Sequence, residues 1–136
     1  MHDHSQNGEQ LIITRYFQGR ERGVLLSVGE NDGTTLSNSR ALMLDGWHGI
    51  LVEPSPAAFY KLCETYGAPE CDRNLEQVAV GNAILVRAAI TTQNGPVDFY
   101  DSGTHLKKGD VALLSTTRPE EMDRWKRSAR RLRKQQ

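Results

Sequence analysis

Three short apolar runs, Val24–Val28, Ile50–Glu53 and Leu75–Val80, constrain this chain more than any other feature. Each is far shorter than the roughly 20 residues needed to cross a bilayer. Few polar residues interrupt the first, a composition that suits a strand covered on both faces. The intervening segments carry helix signals. Leu36–Leu44 reads as a helix stopped by Gly46. Ser55 followed by Pro56 is an N-cap with proline at the first helical position, and Phe59, Leu62, Cys63 and Tyr66 then recur at i, i+3, i+4 and i+7. The order is strand, helix, strand, helix, strand. Right-handed crossovers place such strands parallel, so the expected class is α/β.

Ser5 is expected to cap a first helix that includes Glu9 to Phe17, where Ile13, Tyr16 and Phe17 share a face. Beyond the three core strands, Leu85–Thr91 and Val97–Tyr100 read as a strand pair around Asn94-Gly95, and Val111–Leu114 as a further short strand. A chain of 136 residues has room for one modest core.

The formal net charge is zero, yet charge is divided along the chain. Residues 1–117 hold 9 basic and 14 acidic side chains, and residues 118–136 hold 8 and 3. A nucleic-acid-binding body is therefore not indicated for residues 1–117, whereas the basic segment 118–136 reads as a helix or tail able to touch an anionic partner. Within that segment, 119–134 has the acids Glu120, Glu121 and Asp123 in its first turn. The polar start is unlike a secretory signal, which makes a soluble cytoplasmic protein the expectation. Two cysteines, Cys63 and Cys71, fit a reducing compartment while leaving room for one disulfide.

Chemistry concentrates where Val24–Val28 runs into Gly29-Glu30-Asn31-Asp32-Gly33. Glycine at both ends of this turn permits positive φ and close ligand approach. Open α/β sheets bind ligands at such C-terminal strand edges. Neither G-x-G-x-x-G nor G-x-x-x-x-G-K-[ST] is present, which disfavours nicotinamide enzymes and nucleoside triphosphatases. Glu53 ends the second strand, where a carboxylate accepts both hydroxyl hydrogens of a ribose. The pair indicates a ribose-bearing cofactor without specifying which.

The stretches Ser5–Gln10, Tyr16-Phe17, Val28–Gly33, Ser37-Asn38, Gly46–Pro54 and Val78–Asn82 together resemble the FkbM-type S-adenosylmethionine-dependent methyltransferase family, over residues 5 to about 100. The resemblance implies a truncated class I methyltransferase-like, Rossmann-like sheet with flanking helices. It assigns Gly29, Glu30, Asn31, Asp32 and Gly33 to the cofactor loop and Glu53 to the ribose. Pro54 and Ser55 would flank the adenosine, and Ala79 and Asn82 would lie near the adenine. The implied reaction is methyl transfer to a hydroxyl of a sugar or other small metabolite, with S-adenosyl-L-methionine as donor.

The chain departs from the family pattern in three ways. Ser27 stands where members usually have an acid, and Glu30 where they have a small alanine. A fourth core strand with an Asp-x-Glu-Gly-like pattern has no counterpart after Tyr100. Two functions follow from these departures: a methyltransferase whose acceptor site is supplied elsewhere, or a catalytically inactive binding or interaction module. Without the fourth strand, the edge of Val24–Val28 invites a homodimer or another protein partner. No catalytic residue is assigned, although His105 is the candidate base if its loop folds over the donor site. His2 and His4 have metal-compatible spacing but lack a third ligand, and His48 reads as a surface or packing residue.

Overall fold

A computed structural model describes residues 2–72, 74–101, 116–121 and 123–124. Helix α1 spans Glu9–Tyr16, strand β1 Val24–Val28, helix α2 Arg40–Leu44, strand β2 His48–Val52, helix α3 Pro56–Tyr66, strand β3 Gln77–Val80 and strand β4 Ala83–Val86. The four strands form one sheet in the order β1-β2-β4-β3. Strands β1, β2 and β4 are parallel, and β3 is antiparallel to β4.

The third parallel strand is therefore not Leu75–Val80. That run supplies β3, the outer arm of a tight hairpin turning at Gly81-Asn82, and Ala83–Val86 takes its place beside β2. Gly81 lies at φ 56°, in the left-handed region that a two-residue hairpin turn requires. With Leu85 and Val86 committed to β4, the expected pairing of Leu85–Thr91 with Val97–Tyr100 does not form; Tyr100 instead bridges Thr116 in antiparallel fashion. Val111–Leu114 lies outside the described residues. Of the basic segment, residues 119–121 and 123–124 are helical.

Local chemistry explains where the helices begin. Ser55 is the N-cap of α3: its Oγ accepts the Ala58 N–H at 3.3 Å, and Pro56 occupies the first turn. Gly67, at φ 70°, closes the helix, and the Ala68 N–H returns to the Cys63 carbonyl. Helix α2 is shorter than Leu36–Leu44 because Leu36 itself adopts φ 57°, and the Ser37 hydroxyl accepts the Arg40 N–H where the helix starts. The N-cap of α1 is Gly8 rather than Ser5, whose hydroxyl accepts the Gln10 N–H at 3.1 Å from outside the cap, and the helix ends at Tyr16 with Phe17 as its C-cap.

The core lies on one face of the sheet. Leu51 and Leu85 from the strands meet Phe59, Leu62 and Cys63 of α3 and Met43 of α2. Gly49 allows this approach, since a Cβ there would stand 2.5 Å from the Met43 sulfur. The two cysteines are joined as a disulfide, Cys63–Cys71, with Cα atoms 6.2 Å apart. The turn after Gly67 brings Cys71 back over the last turn of α3, so the pair is a structural link rather than two free thiols. Among the described residues, no helix is long and apolar enough to cross a membrane.

Leu62 is fully buried and Ile12 is exposed on α1. Leu62→Ala should therefore lower unfolding stability by about 2–5 kcal/mol in urea titrations. Ile12→Ala should change it by no more than about 0.5 kcal/mol.

Candidate functional site

At the C-terminal end of the parallel strands, β1 gives way to a turn hung from β2. The Gly29 and Glu30 N–H groups both donate to the Val52 carbonyl, at 2.8 and 3.2 Å, and the Gly33 N–H closes the turn on the Glu30 carbonyl at 2.9 Å. Gly29 and Gly33 have φ of 79° and 77°, and Asn31 between them is also left-handed at φ 54°. Gly33 has a second requirement besides φ: a Cβ would lie 2.7 Å from Leu62 Cδ1. The turn is thereby pressed against α3.

Glu53, the residue after β2, locks this turn in place. Its Oε2 accepts the Asn31 N–H and its Oε1 accepts the Ser55 N–H, each at 2.8 Å. One side chain thus joins the β1 turn to the start of α3. Burial raises the Glu53 carboxyl above its ordinary value; the two N–H bonds oppose this, and the neighbouring Asp101 and Glu30 charges add to the rise. Each oxygen has taken one backbone donor and retains capacity for another. The Asn31 Oδ1 is buried without a hydrogen-bond partner among the described residues.

Asp32 organises the outer side of the turn. Its Oδ1 accepts the Thr34 and Thr35 N–H groups at 2.8 and 2.6 Å, and its Oδ2 accepts the Thr35 hydroxyl at 2.6 Å. Burial raises this carboxyl, but the bonds from Thr35 and Thr34 outweigh it and hold the group below the usual aspartate value. Its backbone carbonyl accepts the Thr65 hydroxyl at 2.7 Å, a second tie to α3.

The remaining expected site residues divide into two groups. Glu30 is buried, turned inward to accept the Ser37 and Ser39 hydroxyls at 3.2 and 2.8 Å. Pro54 follows Glu53 directly, and Ser55 is fully buried, capping α3 and donating its hydroxyl to Asp101. Ala79 and Asn82 are not part of the site. Asn82 lies at the opposite end of the sheet, where its side-chain NH₂ donates to the Met43 and Trp47 carbonyls and its own carbonyl accepts the Gly49 N–H. Ala79 pairs with Ile84 on the outer strand. Because β4 is the third parallel strand, the chain beside Glu53 is Val86, whose carbonyl accepts the Glu53 N–H at 3.0 Å.

Ser37, Ser39 and Asp101 belong to the site's support although none was expected there. The serine pair before α2 was the available signal for the first two; Asp101 acts across 46 residues of sequence and left none. His105 lies outside the described residues. No group of three metal-ligating side chains occurs among the described residues. A cavity of about 560 Å³ lies elsewhere, between the N-terminal arm, α1 and α2, lined by Gln10, Phe17, Leu42 and Trp47 among others, and it touches none of the turn residues.

The depressed Asp32 carboxyl contributes stability at pH values above 3.8, its ordinary value, and loses it as pH falls through the lowered folded value. Unfolding midpoints measured in a descending pH series should therefore fall less steeply in Asp32→Asn than in the parent chain. Parallel curves would show that Asp32 is not held ionised by the threonines.

Compared with protein-family models, curated proteins and solved structures, the chain has no significant match.

Proposed function

We propose that the turn Gly29–Gly33 together with Glu53 is a donor site for S-adenosyl-L-methionine, in a chain of the methyltransferase type that serves transfer to a hydroxyl of a sugar or small metabolite. The observation that carries this reading is the double anchoring of Glu53 at the C-terminal end of β2, beside a left-handed turn at the end of β1. An anchored carboxylate with spare acceptor capacity on both oxygens suits the paired hydroxyls of a ribose. The buried Asn31 Oδ1, without a hydrogen-bond partner among the described residues, offers one more acceptor for a ligand donor. Bound there, S-adenosylmethionine would supply an electrophilic methyl group on a cationic sulfur.

The electrostatics favour a cationic ligand. Glu53, Glu30 and Asp101 lie close enough for the latter two to raise the Glu53 carboxyl, so positive charge nearby would relieve their mutual repulsion. On this reading Asn31, Glu53 and the turn's backbone hold the donor, while Asp32, Ser55 and Asp101 keep the turn and the start of α3 in position. Ala79 and Asn82 have no part in it. Methyl transfer further requires an acceptor oxygen held in line with the carbon–sulfur bond, and a base for its proton. No described side chain is assigned that role.

Isothermal titration with S-adenosylmethionine, adenosine and a nicotinamide dinucleotide tests the assignment. S-adenosylmethionine should bind, adenosine more weakly and the dinucleotide not at all. Glu53→Ala should weaken S-adenosylmethionine binding by roughly 1.5–3 kcal/mol, the cost of losing charged hydrogen-bond acceptors. Equal affinity in the folded variant, or no binding by the parent chain, would overturn the proposal.

A further inference from the structure

One residue holds the last turn of α3 from two directions. The Cys63 carbonyl accepts the Gly67 and Ala68 N–H groups that close the helix, the second at 2.9 Å, while the Cys63 sulfur carries the bond to Cys71. The same turn of helix bears on the loop after β1. The Thr65 hydroxyl donates to the Asp32 carbonyl at 2.7 Å, and the Tyr66 ring lies 3.0 Å from where a Gly33 Cβ would stand. The Arg40 guanidinium, from the start of α2, lies over that ring at 5.0 Å from its centre. Cys63 is thus one helical turn or less from every α3 residue that positions Asp32 and Gly33.

We infer that the Cys63–Cys71 disulfide is a redox latch on the Gly29–Gly33 turn. Closed, it holds the end of α3 against Asp32 and Gly33; opened by reduction, it lets that end and the turn loosen while the sheet stays folded. Its effect on S-adenosylmethionine rests on the donor-site reading above, whereas its effect on the turn does not. Opening is a two-electron step: the sulfur–sulfur bond breaks, a dithiol is oxidised to its own disulfide, and its two protons pass to the sulfurs of Cys63 and Cys71. Cys63 is fully buried and Cys71 only half-buried, so Cys71 is the side open to attack. Both states suit the sequence. A free Cys63 thiol is a small apolar group that still fits the cluster of Phe59, Leu62 and Leu85, while Ala68, Cys71 and Leu75 gain freedom in the connector to β3. The link joins residues with a sequence separation of 8, and short loops gain least from a cross-link. Ser55, Pro56 and the buried stripe keep the rest of α3 in place, so the loss falls on the helix end.

Nitrogen relaxation of the ligand-free full chain, oxidised and after reduction with dithiothreitol, tests the latch; isothermal titration with S-adenosylmethionine in both states tests its consequence. On reduction the order parameters of the Asn31 and Gly33 amides should fall from about 0.85, the value of rigid backbone, to below about 0.6. The Gly49 amide, bonded to Asn82 at the opposite end of β2, should stay near about 0.85. Cys71→Ser should reproduce the reduced pattern and no longer respond to dithiothreitol. S-adenosylmethionine affinity should fall at least about fivefold on reduction, the low end of ordinary coupling between two sites. Unchanged Asn31 and Gly33 amides overturn the inference, as does a fall that Gly49 shares, which marks general loosening. Equal affinity in the two states, with the turn loosened, overturns the regulatory role. A loosened turn with no binding in either state overturns the donor-site reading and leaves the latch standing.

Discussion

The bonds of the Glu53 carboxylate are the interaction on which the C-terminal end of the parallel strands depends. A glutamate at the end of an inner parallel strand is poorly solvated, and burial alone would make its charge costly. Two backbone N–H groups, from Asn31 and Ser55, offset that cost while tying together segments that have no covalent reason to meet. Asn31 is held in a left-handed conformation that asparagine tolerates better than most residues. Ser55 is the N-cap of α3, so the same carboxylate aligns the turn and the helix. Its partial compensation is the physical basis for reading it as a ligand group: the charge is anchored but not saturated.

The layer beneath explains why the turn can be held. Leu51 and Leu85 pack on Phe59 and Leu62 of α3, and Leu62 also occupies the space that a side chain at Gly33 would need. Core packing and turn conformation are therefore coupled through α3, by Leu62 and Tyr66 against Gly33 and by the Thr65 hydroxyl on the Asp32 carbonyl. The disulfide Cys63–Cys71 fastens the far end of the same helix. Glu30 completes the support by satisfying the Ser37 and Ser39 hydroxyls, one of which starts α2. The loop between β1 and α2 is thus organised by its own side chains rather than by a long helix.

Much of this was legible in sequence where the determinants are local. The cap at Ser55, Pro56 and the apolar stripe specify α3 within a dozen neighbouring residues, and the structure reproduces that helix. Strand β1 and the turn glycines were equally visible, and β2 was visible with its ends displaced, running His48–Val52 rather than Ile50–Glu53 so that Glu53 follows the strand. The third strand was not. Gln77–Val80 and Ala83–Val86 have similar apolar character, and only pairing across the sheet decides that the later run lies beside β2. That displacement carried Ala79 and Asn82 out of the expected site. The roles of Asp101 and the cysteine pair likewise depend on chain segments meeting after folding, which spacing alone does not encode.

A nitrogen–proton correlation spectrum recorded during addition of S-adenosylmethionine tests the central claim most directly, because the Asn31 and Ser55 amides report on the two Glu53 oxygens separately. The account predicts that both resonances shift together and saturate at one affinity, while the Asn82 amide at the opposite end of the sheet stays fixed. Unmoved Asn31 and Ser55 resonances, or shifts centred on Asn82, would contradict it.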